Sequence, residues 1–182
     1  MAEAGATPYF RRFVHPDPAA LAAEIVQRRA ALAQARAGGA GVALIEAIGW
    51  LGASLVMAGE EAEAAPLLEE ALALSRQVGD QATEIDGLLA LGTAAQYLGD
   101  RARAQALFAQ GLALCRQSGI ARQEHFLLQH SGRCYVEQGE IAKARAAFEA
   151  ALAIRKALGE PRFIAATQGA LDEIAGMEGH RA

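Results

Sequence analysis

Residues 51–74 read LGASLVMAGEEAEAAPLLEEALAL, and the stretches that begin at Leu91 and at Ser131 repeat the same pattern. Each is an apolar segment, a glycine, an acid and a second apolar segment. Gly52, Gly92 and Gly132 recur every 40 residues, as do Gly59, Gly99 and Gly139. The same interval joins Ala62, Ala102 and Ala142; Ala64, Ala104 and Ala144; Leu68, Phe108 and Phe148; and Leu72, Leu112 and Leu152. Gly79, Gly119 and Gly159 close the copies. So many columns in one register do not arise from an alanine-rich composition, and a fixed period of this size is the signature of stacked repeats.

Each copy reads as two helices. Gly59, Gly99 and Gly139 stop the first, because glycine adopts the left-handed conformation that ends a helix. Glu60, Asp100 and Glu140 then place an acid at the positive end of the second. Within the second helix, Leu68 with Leu72, Phe108 with Leu112 and Phe148 with Leu152 are i,i+4 pairs on one face. Pro66 lies inside the first copy's second helix, where it removes one backbone bond and is expected to bend the helix.

The copies span 41–79, 81–119 and 121–159. Asp17 and Pro18 form a cap and first-turn pair that opens a helix over 17–38, with Leu21, Ile25 and Leu32 on its apolar stripe. A last helix follows Pro161 and spans 161–176. Both are expected to cap the array, whose end faces would otherwise be bare. Residues 17–178 thus form one array, with 1–16 extended or disordered and 179–182 a tail.

Composition agrees with an all-α fold. The chain is 53% hydrophobic but only 5% aromatic, and much of its apolar content is alanine, the best helix former. A net charge of −4 and the absence of a polybasic patch argue against nucleic acid as partner. No apolar run approaches the ~20 residues needed to span a bilayer, and Arg11 and Arg12 are not followed by a signal-peptide core. A cytoplasmic protein is the expectation, with Cys115 and Cys134 as thiols.

The run Leu91-Gly92, then Gly99-Asp100, Ala104, Phe108 and Leu112, resembles the tetratricopeptide repeat (TPR) over about residues 41–158. The period is 40 rather than about 34, as in longer-helix variants similar to kinesin light chain and to bacterial regulators, and the proline common near a repeat's end is absent. The resemblance implies a right-handed α-solenoid of about three helix pairs, with first helices lining a concave groove. TPR domains that hold a chaperone's C-terminal carboxylate carry Lys, Asn and Arg at set offsets around the first-helix glycine. Here those offsets hold Gly49, Ala53, Ala90, Phe126 and His130, which disfavours that ligand.

The expected groove wall is Glu46, Gly49, Trp50 and Ala53 from the first copy, Asp86, Leu89 and Thr93 from the second, and Phe126, Gln129, His130 and Arg133 from the third. It runs from small and apolar to polar and partly cationic. Trp50 reads either as a binding hot spot or as core against the first helix. Arg133, Gln129 and His130 read as donors to a carboxylate or phosphate, or as an exposed face with an Arg133–Glu137 pair. His130 and Cys134 stand one turn apart, but no second ligand pair has zinc spacing, so no metal or other cofactor is expected.

Tyr9-Phe10-Arg11-Arg12-Phe13 is the densest aromatic cluster. It reads as a strand that docks on this or a neighbouring molecule, or, the preferred reading, as a cover for the first helix's apolar stripe. Met57, Tyr97 and Glu137 share one column, with no catalytic consequence. No nucleotide loop, nucleophile elbow or zinc-protease helix occurs, so no enzyme is expected. The expected function is a non-catalytic protein-interaction scaffold that holds a peptide or helix in its groove. The alternative is a homodimer assembled through the capping helices or the N-terminal aromatic segment.

Overall fold

A computed structural model describes residues 9–39 and 41–179. Among these residues, eight α-helices follow one another with no strand: α1 Pro18–Gly38, α2 Val42–Ala58, α3 Glu61–Val78, α4 Gln81–Tyr97, α5 Arg101–Ser118, α6 Glu124–Glu137, α7 Ile141–Leu158 and α8 Pro161–Gly179. A single 3-10 turn, Ala121–Gln123, precedes α6, and α8 runs three residues past its expected end. Residues 1–8 and 180–182, part of the expected N-terminal segment and tail, lie outside the described residues. No described helix is long and apolar enough to cross a membrane.

The corner between α4 and α5 illustrates how the copied residues build a hairpin. Gly99 takes φ 87°, where a side chain would be strained, and lets Asp100 N–H reach back to the Ala95 carbonyl at 2.9 Å. Asp100 then accepts from Arg103 N–H at 3.0 Å and caps α5. Glu60 and Glu140 hold the same place before α3 and α7, yet make no such bond, and act there through charge alone. Pro66 is exposed, and α3 is helical on both sides of it.

Two of the sequence columns prove to be one contact. A Cβ on Gly92 would stand 2.5 Å from Phe108 Cε1, one on Gly132 2.5 Å from Phe148 Cε1, and one on Gly52 2.6 Å from Leu68 Cδ2. The glycine lets a large side chain from the second helix lie flat on the first, and Leu68, Phe108 and Phe148 are fully buried there. Gly92→Ala should therefore lower stability. Overpacking of ~1–3 kcal/mol outweighs the ~1 kcal/mol of helix propensity that alanine adds. The urea midpoint should fall, with an unchanged denaturant slope.

Each helix packs on its sequence neighbours, and first helices also touch one another, α2 with α4 and α4 with α6. No comparable contact joins α3 to α5 or α5 to α7. The array therefore curves toward its first helices, which line the concave side. On the other side, Arg36–Glu70 and Arg29–Glu63 link α1 to α3, and Arg103–Glu69 links α5 to α3. These pairs are exposed and add little stability each, but they show α1 standing in the place of a second helix.

Candidate functional site

The concave side is occupied by the chain itself. Residues 9–15 contain no helix and pass back across the last turns of the first helices, from α6 over α4 to α2. At α6, Phe10 N–H donates to Glu137 Oε1 at 3.0 Å, while the Phe10 ring is buried 6.2 Å from Phe148, in a cluster with Leu171 and Ile174. At α4, Tyr9 donates its hydroxyl to the Tyr97 carbonyl and sets its ring edge-on to Tyr97. Arg12 lies 4.3 Å over the Tyr97 ring and pairs with Glu61 of α3. At α2, Val14 and His15 line a cleft with Met57 and Ala58.

The column Met57, Tyr97 and Glu137 is thus the seat of this strap. Val14 and His15 stand over α1, sharing the cleft with Leu21 and Ile25. The preferred expectation, that the aromatic cluster covers α1's stripe, is corrected for Tyr9 and Phe10. The Phe10 ring finds burial at the other end of the array, and Tyr9 packs at its middle on Tyr97, whose carbonyl takes its hydroxyl. Arg11 turns away from Arg12, resting against Gly169 and pairing with Glu173 of α8 at 3.2 Å. The fan is possible because Arg11 takes φ 51°, a left-handed conformation that costs a non-glycine residue about 1 kcal/mol.

Glu137 is the polar centre of the seat. Its side chain is almost fully buried and accepts from Phe10 N–H, from Gln96 Nε2 at 2.7 Å and from Arg101 Nε at 3.0 Å. Burial pushes its carboxyl above the ordinary range, against the Gln96 and Phe10 hydrogen bonds and the Arg101 charge. Burial likewise holds the Arg133 guanidinium below its ordinary value, with Arg11 adding to the effect and Tyr97 and Glu137 opposing it. The Arg133 Nε and Gln96 Oε1 atoms are buried without a protein partner.

The expected wall residues divide. Trp50, 57% exposed, stands out from α2 and is not core against α1. Glu46 and Asp86 are exposed, Asp86 accepting from Gln123, and Gly49, Ala53 and Leu89 are half-buried. Thr93 is buried and donates to the Leu89 carbonyl at 2.8 Å. Gln129 and Phe126 serve a different purpose from the one expected, because α8 packs where the groove would continue. Gln129, 3% exposed, accepts at its amide oxygen from Arg155 at 2.9 Å and from Thr167 at 2.8 Å, and its Nε2 is buried without a protein partner rather than turned to the groove. Phe126 packs edge-on to Phe163 of α8.

Arg155 organises that end. In register it follows Ser75 and Cys115, both buried. Its guanidinium donates to His125 Nδ1 at 3.0 Å, Gln129 Oε1, the Phe163 carbonyl at 3.1 Å and Thr167 Oγ1. All four acceptors are neutral, and burial pushes Arg155 down to about 10, with the Arg133 charge adding. Cys134, the other half of the disfavoured metal pair, is buried with its thiol on the Arg101 carbonyl and pushed up to about 12 by burial. Among the described residues no three His, Cys, Asp or Glu side chains are grouped to hold a metal ion.

Two histidines carry a pH signature. Burial, then Arg155, lowers His125 to about 4, and burial, then Arg133 and Arg155, lowers His130 to about 3. Because the folded pKa values lie below that of an unfolded histidine, the unfolded chain binds more protons once the pH falls below about 6.5. Stability should therefore drop between about pH 6.5 and pH 4, by roughly 2 kcal/mol per histidine at pH 5. Glu137, with its raised carboxyl, opposes this only in the carboxylate range. His130→Gln should flatten the fall in melting temperature by about half, since one of two such groups is gone.

No protein-family model matches the sequence, and no curated protein does. Among solved structures, the chain is similar to the crystal structure of the TPR domain of Arabidopsis FLU, at 19% identity and a TM-score of 0.60. The likeness covers 62% of this chain and 95% of that domain. At such identity it speaks to fold and not to what either chain binds. With its helix pairs stacked in a 40-residue register, the chain has the TPR-like fold, an all-α solenoid of helix-pair repeats.

Proposed function

We propose that the chain is a non-catalytic protein-interaction module whose concave face takes an extended peptide. The observation that carries this reading is the strap. Seven consecutive residues, 9–15, lie on that face, anchored by a main-chain hydrogen bond to Glu137, a buried ring and two ion pairs to different helices. A face that accommodates one extended segment through backbone and side-chain contacts has the means to hold another. Trp50, Glu46 and Leu89 extend the same face beyond the strap.

A peptide array of mixed chemistry tests the reading. The probe is the full chain carrying Phe10→Ser and Arg12→Ser, which lifts the strap, with helical content checked by circular dichroism. Bound peptides should lose about tenfold in affinity, ~1.4 kcal/mol, when Glu46, Trp50 and Leu89 are changed to Ala. They should be unaffected when the exposed Gln77 and Gln117 of the convex helices are changed instead. An array with no bound peptide, or equal losses from both faces, contradicts it.

A further inference from the structure

Resting on that reading, we infer that the strap is a resident stand-in, and that the groove's partner is an extended segment of the same chemistry: two adjacent aromatic residues followed by two basic ones. The seat is complementary to that order along its length. Phe148, Leu171 and Ile174 form an apolar socket, the Tyr97 ring is a platform for a cation, and Glu61 and Glu173 lie on opposite sides to receive the two guanidinium groups. Glu137 supplies the acceptor for a main-chain N–H between them.

The seat does not depend on the strap for its form. Glu137 keeps Gln96 and Arg101 as donors when Phe10 N–H leaves, so the buried carboxylate stays paired. The strap, for its part, fills the seat incompletely. It holds Arg11 in a left-handed conformation, leaves Phe13 partly and Val14 largely exposed, and sits beside a seat whose Gln96 Oε1 and Arg133 Nε find no protein partner. A partner free of the tether at Pro16–Pro18 is not bound to that backbone path. It competes by mass action, and the strap sets a threshold because only the fraction of chains with an open groove can bind.

The test is fluorescence anisotropy with a labelled peptide of residues 8–14, titrated with the full wild-type chain and with the full chain carrying Phe10→Ser and Arg12→Ser. The peptide should bind the strap-lifted chain about tenfold or more tightly than wild type, because the closed fraction is removed. The same peptide with both arginines changed to glutamate should not bind. Equal affinity for both chains, undiminished binding of the glutamate peptide, or no binding while circular dichroism reports intact helices overturns the inference. So does light scattering that finds a wild-type dimer which the strap-lifted chain does not form. If peptides of other chemistry bind the strap-lifted chain and this one does not, the groove survives and only its assigned partner falls. If no peptide of any chemistry binds, both fall.

Discussion

Phe148→Ala is expected to cost about 3–5 kcal/mol, the range for removing a buried phenylalanine whose site cannot fully collapse. The ring is wholly buried, lies on Gly132 with no room for a Cβ between them, and forms the floor on which Phe10 rests. Phe108→Ala should cost a similar amount, since its contact with Gly92 is the same. The two variants part in a second measurement. Only Phe148→Ala should speed hydrogen exchange at the Phe10 amide, because only that ring supports the strap. Phe148→Leu puts in the residue that copy one uses, and should retain most of the stability while loosening the strap by less. Equal exchange in both alanine variants would separate the strap from its socket.

Arg155→Ala is expected to cost about 3 kcal/mol, because it removes donors from His125 Nδ1 and Thr167 Oγ1, each worth roughly 1 kcal/mol or more unpaired, leaves Gln129 Oε1 and the Phe163 carbonyl with Thr167 alone, and opens a void beneath Phe126 and Phe163. Against this stands the release of a buried charge that none of its four bonds neutralises. Arg155→Met keeps much of the volume without the charge, so its loss should be smaller. The damage should be local, with amide protection lost first in α8, which Arg155 bonds through Phe163 and Thr167. His125 gives an independent readout. With the Arg155 charge gone, its pKa should climb from about 4 toward the ordinary histidine value, as followed by NMR titration. Urea denaturation of the two variants ranks the losses.

The repeat is legible in sequence because a helix pair writes its packing within about 40 residues, and copying prints each contact three times. Gly52 with Leu68, Gly92 with Phe108 and Gly132 with Phe148 can each be read as a column before their contact is known. The strap leaves no such trace. Tyr9 meets Tyr97 across 88 residues and Phe10 meets Glu137 across 127, in single contacts that no period repeats. Both partners are visible in the sequence, as an aromatic cluster and as the column Met57, Tyr97 and Glu137, but only the folded array joins them.

At the groove offsets taken from the resemblance, Trp50 and Glu46 of the first copy are exposed. At the same offsets in the third copy, Gln129 and Phe126 turn to α8. The signal of that turn in the sequence is the column Ser75, Cys115 and Arg155. A buried position that accepts a small side chain twice and then arginine marks a place where the next layer must supply acceptors, and His125, Gln129 and Thr167 do so.

The most direct measurement of the occupied groove places the photoreactive residue benzoylphenylalanine at position 10 of the full chain. After irradiation, mass spectrometry of a mixture of isotope-labelled and unlabelled chains maps each adduct and tells one chain from two. Adducts within a single chain on α6, α7 and α8, among Tyr135, Phe148, Leu171 and Ile174, are the expected result. Adducts on α1 at Leu21 or Ile25, or adducts between chains, would contradict the account.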